Sequence, residues 1–121
     1  MSSAKVMIVE DEAIVAMSLE RAVRKMGYSV SCIVDKGEEA VRRFEDQPAD
    51  IVLMDVRLKG EMDGIEAARR IVSRRRIPVI FLTAYSDPAT MSRAEDIPPA
   101  AFLAKPVDEL ALAQAISRAT E

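Results

Sequence analysis

The sequence predicts an α/β fold, a parallel sheet of five strands with helices packed on both faces. Three observations predict it. A short apolar run followed by a helical pattern recurs five times along the 121 residues. Three of those runs are apolar throughout, as strands covered on both faces must be. Helix start and stop signals fall between the runs and not inside them.

The first run, Val6-Met7-Ile8-Val9, is followed by Val15, Leu19, Ala22, Val23 and Met26 on one helical face, and Gly27 supplies a C-terminal stop. The second, Val30 to Val34, is interrupted by Ser31 and preceded by Ser29, which suits an edge strand; Ala40, Val41 and Phe44 mark its helix. The third, Ile51-Val52-Leu53-Met54, leads to Ile65, Ala68, Ile71 and Val72, with Asp63-Gly64-Ile65-Glu66 resembling a capping box. After Val79-Ile80-Phe81-Leu82 comes a short, weakly patterned helix near Pro88 to Glu95, opened by Asp87-Pro88. The fifth run, Ala100 to Ala104, precedes Asp108 and a helix with Leu112, Ala113, Ile116 and Ala119 on one face.

The order 2-1-3-4-5, the doubly wound flavodoxin-like one, places the interrupted second strand and the fifth at the edges. It also makes the first and third strands neighbours, with a ligand site expected beyond their carboxyl ends, where the winding reverses. The length fits a single domain over 1–121 with a core of about 5–119.

Composition excludes several functions. The net charge is -3 and the pI near 5.1, so no sequence-independent grip on nucleic acid is expected. Arg74-Arg75-Arg76 reads as a solvated loop after a helix. The one cysteine, Cys32, cannot form an internal disulfide, which suits a reducing cytoplasm. No apolar stretch approaches the ~20 residues that span a bilayer, and Val6 to Val9 is too short for a signal-peptide core. The chain contains no histidine, which removes Ser-His-Asp chemistry, histidine metal sites and a self-phosphorylating histidine together.

The residues just past the buried runs form a chemically consistent set. Glu10, Asp11 and Glu12 come after the first, Asp55 after the third, Thr83 after the fourth, and Lys105-Pro106 after the fifth. Crowded carboxylates call for a cation, and with oxygen ligands only, a hard metal such as Mg²⁺ is the natural guest. A metal beside a carboxylate and a lysine also meets the needs of phosphoryl transfer, in which positive charge offsets the moving phosphoryl oxygens. Singly, each residue has a plainer explanation. Asp11 could be a helix N-cap, Glu10 and Glu12 could favour the helix dipole, and Asp55 could form a turn. Thr83 could finish its strand, and Lys105 could be a solvated strand end. Their conjunction on one rim points to a site.

Ile8-Val9-Glu10-Asp11-Glu12, Val52-Leu53-Met54-Asp55, Asp63-Gly64, Phe81-Leu82-Thr83-Ala84 and Leu103-Ala104-Lys105-Pro106 resemble the response-regulator receiver domain of two-component systems, over about Lys5 to Ala119. The resemblance implies that Asp55 is the phosphoacceptor, taking its group from a phosphohistidine on a sensor kinase or a histidine phosphotransfer protein of a phosphorelay. It implies Mg²⁺ on Asp11, Glu10, Asp55 and the backbone carbonyl of Arg57, with Lys105 contacting the phosphoryl group. Thr83 and Phe102 would switch position upon phosphorylation, and the Lys105-Pro106 bond would be cis. The readout would be the face of the fourth helix, fifth strand and fifth helix, acting on an output protein or a covalently linked output domain. An ordinary edge-strand core residue is the alternative reading of Phe102.

This chain departs from the family pattern in three places. Glu10 stands where aspartate is usual. The loop from Val56 to Gly64 lacks the common proline and is one residue longer. Tyr85, bulky and two residues past Thr83, is a further candidate switch residue, positioned to shield an acyl phosphate or to meet a partner. Two rivals are a degenerate receiver that serves only as a docking module and an aspartyl-nucleophile phosphohydrolase. The first is opposed by intact Asp11, Asp55, Thr83 and Lys105. The second is opposed by Ala13 and Arg57 where an Asp-x-Asp pattern needs a second acid. A flavin or nucleotide carrier ranks last, since no phosphate cradle follows the first strand.

Overall fold

The computed structural model describes residues 4–84, 88–97 and 100–120. The elements alternate as β1 (Lys5–Val9), α1 (Ala13–Lys25), β2 (Ser29–Val34), α2 (Gly37–Asp46), β3 (Ile51–Asp55), α3 (Gly64–Arg74), β4 (Val79–Thr83), α4 (Pro88–Arg93), β5 (Ala100–Ala104) and α5 (Glu109–Ala119). The strands form one sheet in the order β2-β1-β3-β4-β5, and every neighbouring pair is parallel. This is the doubly wound flavodoxin-like arrangement expected from the runs, with the serine-broken β2 at one edge.

Successive strand residues face opposite sides of the sheet, so the apolar runs feed two cores. Val6, Ile8, Ile51, Leu53, Ile80 and Leu82 pack with Leu19 and Val23 of α1 and Leu112 and Ile116 of α5. Met7, Val9, Val52, Met54, Val79 and Phe81 pack on the other side with Phe44 of α2, Ile71 of α3, and Ala94 and Ile97 beyond α4. Fully apolar strands are required in the middle of such a sheet because neither face meets water. No described helix is long and apolar enough to cross a membrane. Cys32 is buried as a free thiol.

Register brings the strand ends level. Val9 lies opposite Met54, Asp55 opposite Leu82, and Thr83 opposite Ala104. The residues that follow or close β1, β3, β4 and β5 therefore share one edge. α1 starts after Glu12, whose side chain makes no cap bond, so Asp11 does not serve as the N-cap of α1. Gly27 follows the α1 C-cap with φ +97°, a conformation that costs an L side chain energy. Asp108 caps α5 by accepting from Ala111 N at 2.9 Å.

At α3, half of the capping box forms. Asp63 Oδ1 accepts from Glu66 N at 2.9 Å, but the Glu66 carboxylate turns outward to Arg70 Nε at 2.9 Å. The outward ion pair competes with the backward reach that the sequence pattern suggests. α4 ends at Arg93, short of the expected Glu95, because Ala94 N and Glu95 N bond three residues back, to the carbonyls of Met91 and Ser92, at 3.1 and 3.3 Å. Asp87, expected to precede its first turn, lies outside the described residues.

The Asp63 cap carries a pH-dependent prediction. Partial burial pushes its carboxyl up, yet the Arg93 guanidinium and the Glu66 and Ile65 amides outweigh this and hold it below 3.8. A depressed folded-state pKa contributes stability above the unfolded value and loses it as pH falls through the folded one. Asp63→Ala is therefore expected to cost about 1 kcal/mol at neutral pH, and the gap to the wild type should close below pH 3.8. Urea midpoints of both proteins across that range check it, and a gap independent of pH would contradict it.

Candidate functional site

The edge formed by the carboxyl ends of β1, β3, β4 and β5 holds the predicted residues. One oxygen each of Glu10, Asp11 and Asp55 lies within 4.8 Å of the other two. Lys105 Nζ donates to Glu10 Oε1 at 3.0 Å and to Asp55 Oδ2 at 3.3 Å. Glu10, Asp55 and Thr83 are the buried polar residues among those described, with 2%, 4% and 7% of their surface exposed. Three carboxylates and one ammonium from β1, β3 and β5 thus meet, as the sequence implied.

Each is held from its own backbone. Asp55 ends β3, and its Oδ1 accepts from Arg57 N at 3.1 Å. Glu10 N continues the sheet by donating to Val34 O at 3.0 Å, and Glu10 Oε2 accepts from Glu12 N at 3.1 Å. Thr83 closes β4, and its carbonyl accepts from Lys105 N at 2.9 Å, so the β5 end is locked to the β4 end. The Lys105-Pro106 bond is cis, as expected. The site's precision follows from the central sheet: Asp55 closes a buried strand and Glu10 directly follows one, while Asp11 lies in the bend just beyond.

Electrostatics explain why the cluster wants a cation. Burial pushes the Glu10 carboxyl up to about 7; Lys105 and the Glu12 amide oppose this, and the Asp55 charge adds to it. For Lys105, burial alone would lower the pKa, but the Glu10 and Asp55 carboxylates outweigh it and hold the ammonium above its usual value. One ammonium therefore leaves an excess of buried negative charge, and the donor set is oxygen alone. That set fits a hard divalent ion such as Mg²⁺, which Glu10, Asp11 and Asp55 could hold.

Lys105 is less solvated than a strand-end lysine would be, with its side chain 15% exposed. Sequence reasoning missed two participants. Glu12, read as a dipole partner, puts Oε1 3.6 Å from Lys105 Nζ. Gly64 lies so close to Asp55 that a Cβ on it would overlap the Asp55 carbonyl oxygen; the adjacent Asp63-Gly64 motif was the signal, but the contact was not legible. Phe102 is half-buried on β5, its ring centroid 5.2 Å from that of Phe81, so in this structure it joins the core beside β4. Tyr85 lies outside the described residues.

With this geometry in place, the comparisons with known proteins agree. The response regulator receiver domain model matches residues 6–117. The transcriptional regulatory protein PdtaR of Mycobacterium tuberculosis is 40% identical over 102 residues, covering 84% of this chain and 49% of the relative. The signal receiver domain of a modulated diguanylate cyclase from Desulfovibrio desulfuricans G20 superposes with a TM-score of 0.90 at 39% identity, over 98% of this chain and 94% of that one. The receiver domain of a sensor histidine kinase from Pseudomonas aeruginosa PAO1, described with a magnesium ion in its active-site cleft, gives 0.84 at 32% identity, over 98% of each chain. The chain belongs to the response regulator receiver domain family of two-component signalling. It spans about half the length of the curated relatives it matches.

Proposed function

We propose that the protein is a phosphate-accepting switch in a two-component or phosphorelay pathway, with Asp55 as the acceptor. The observation that carries this reading is the Asp55 carboxylate itself: buried, oriented by Arg57 N, and 3.3 Å from an ammonium shared with a neighbouring acid. The donor is a phosphohistidine on a sensor histidine kinase or histidine phosphotransfer protein. An Asp55 carboxylate oxygen attacks phosphorus in line, the P–N bond breaks, and the leaving imidazole keeps the electron pair. Glu10, Asp11, Asp55 and the Arg57 carbonyl would hold Mg²⁺, which would supply charge neutralisation for the phosphoryl oxygens.

Lys105 holds positive charge at the same place and orients the carboxylate. Thr83, at the end of β4, would turn its hydroxyl toward the new phosphoryl oxygens, and Phe102 would turn inward to fill the space Thr83 vacates. These shifts alter the face of α4, β5 and α5, which addresses an output protein or a linked output domain. Phosphorylation adds roughly two negative charges, and the shift it drives is limited to its differential interaction, ~1–3 kcal/mol. The protein turns over nothing beyond its own phosphorylation and dephosphorylation, and it works in the cytoplasm without contacting nucleic acid or membrane through this domain.

Intact-mass measurement after incubation with acetyl phosphate tests the reading. One phosphoryl adduct is expected with Mg²⁺ and none with chelator. An unchanged mass would favour a docking module, and sustained hydrolysis of a phosphomonoester would favour a hydrolase.

Lys105→Ala separates support of the fold from support of the reaction. Removing the ammonium leaves Glu10 and Asp55 without their cation, but Glu10 can take up a proton near pH 7. The expected loss is therefore about 1–3 kcal/mol, smaller than for a buried charge that cannot neutralise. Urea unfolding should show this loss without metal and partial recovery with Mg²⁺, while adduct formation stays slow in both. Loss of the folded circular dichroism signal would instead assign Lys105 a structural role.

A further inference from the structure

We propose that Arg69 and Arg93 are positioning residues that clasp α4 to α3, adding a charged restraint to the apolar anchors that follow α4, and that Asp63 ties this clasp to the loop carrying Asp55. Three observations leave α4 in need of such a restraint. It has six residues, none of them buried, and a helix this short does not hold itself. Toward β5 it borders a cavity of about 490 Å³ lined by Pro88, Met91, Ile97 and Phe102. Its apolar anchors, Ala94 and Ile97, lie beyond its last turn.

The polar links are specific. Arg69 Nη2, from α3, donates to the Arg93 carbonyl at 2.7 Å, satisfying a carbonyl that a helix end leaves without an intrahelical partner. The same nitrogen lies 3.3 Å from Asp96 Oδ1. The guanidinium thus sits where the helix dipole favours a cation. In the opposite direction, Arg93 Nη1 reaches back to Asp63 Oδ2 at 2.9 Å, while the other Asp63 oxygen caps α3. Asp63 closes the loop that leaves Asp55, and the next residue ties that loop again through Gly64 N to Val56 O at 2.9 Å. A disturbance at Asp55 therefore reaches the Asp63 end of the clasp through a short, twice-anchored segment.

The Arg69 and Arg93 side chains are 40% and 50% exposed, and exposed ion pairs are individually weak. That weakness suits a restraint which must open: a hydrophobic contact of equal extent would hold α4 too firmly for a modest signal to move.

Hydrogen exchange of the segment 88–97, measured without phosphorylation, tests the clasp. Arg93→Ala and Arg69→Ala should raise its exchange roughly two- to tenfold, with strand exchange and the urea midpoint little changed. Asp63→Asn keeps a cap acceptor and removes the charge, so it should match Arg93→Ala, and the double variant should exchange no faster than either. Arg93→Lys should restore most of the protection, and about 1 M salt should move the wild type toward the variants. Unchanged exchange in Arg93→Ala, or additive effects in the double variant, would overturn the clasp.

The tie to Asp55 rests on the proposed function and is read separately. If the clasp favours the resting arrangement, Arg69→Ala should gain its adduct from acetyl phosphate several-fold faster than the wild type. Faster exchange without faster labelling overturns the tie alone, whereas absence of any adduct in the wild type overturns the phosphoacceptor reading and leaves the clasp standing.

Discussion

Asp55→Asn is expected to abolish Mg²⁺-dependent labelling by acetyl phosphate, lowering the rate on the order of 10³-fold or more. The substitution preserves shape, and the amide oxygen of the introduced asparagine can still accept from Arg57 N, the bond made at 3.1 Å in the native protein. What disappears is the anionic oxygen proposed to attack phosphorus. The variant also removes one of three clustered carboxylates, so it should fold at least as well as the wild type, and its lost labelling cannot be blamed on unfolding. Intact mass and a urea midpoint, taken on the same sample, check both statements. Full labelling of the variant would move the acceptor elsewhere.

Gly64→Ala is expected to cost more than about 3 kcal/mol, or to prevent folding. Its Cβ would overlap the Asp55 carbonyl oxygen, and it would stand 2.9 Å from the Asp55 carbonyl carbon and 3.0 Å from Met54 Cγ. Two of these three atoms belong to the backbone of a central strand and cannot yield as a side-chain tip would. The first turn of α3 must come this close because Gly64 N donates to Val56 O at 2.9 Å. Gly27→Ala is the control. Its backbone lies at φ +97° with nothing within 4 Å of the added Cβ, so only conformational strain of about 1–2 kcal/mol applies. Urea unfolding of the two variants side by side separates steric exclusion from strain; equal losses would show that the close approach at Gly64 relaxes easily.

The fold was legible because its signals are local and repeated. Val6 to Val9, Ile51 to Met54 and Val79 to Leu82 are apolar enough to be central strands, and Ser29 and Ser31 mark β2 as an edge. Each of those elements stands where the pattern put it. The weakest helix in sequence, α4, is also the shortest among the described residues, since the segment lacks an apolar face long enough to dock it. The reciprocal half of the α3 capping box failed for a different reason. Glu66 has arginines at both i+3 and i+4, and these take its carboxylate, a competition that a four-residue motif does not display.

The site was legible in its chemistry and not in its couplings. Glu10, Asp11, Asp55, Thr83 and Lys105 each follow or close a buried run, and a parallel sheet with level register must bring such positions to one edge. The sequence by itself therefore determined the alternating fold, the strand order and the membership of the acidic rim, because periodicity and strand-end chemistry are properties of short segments. Only the tertiary structure decided that Lys105 bridges Glu10 and Asp55, that burial pushes the Glu10 carboxyl up to about 7, that Gly64 must lack a side chain, and that Arg69 and Arg93 join α3 to α4. These depend on distances between residues far apart in the chain, and on how completely water is excluded around them. Neither quantity exists until the helices have closed over the sheet.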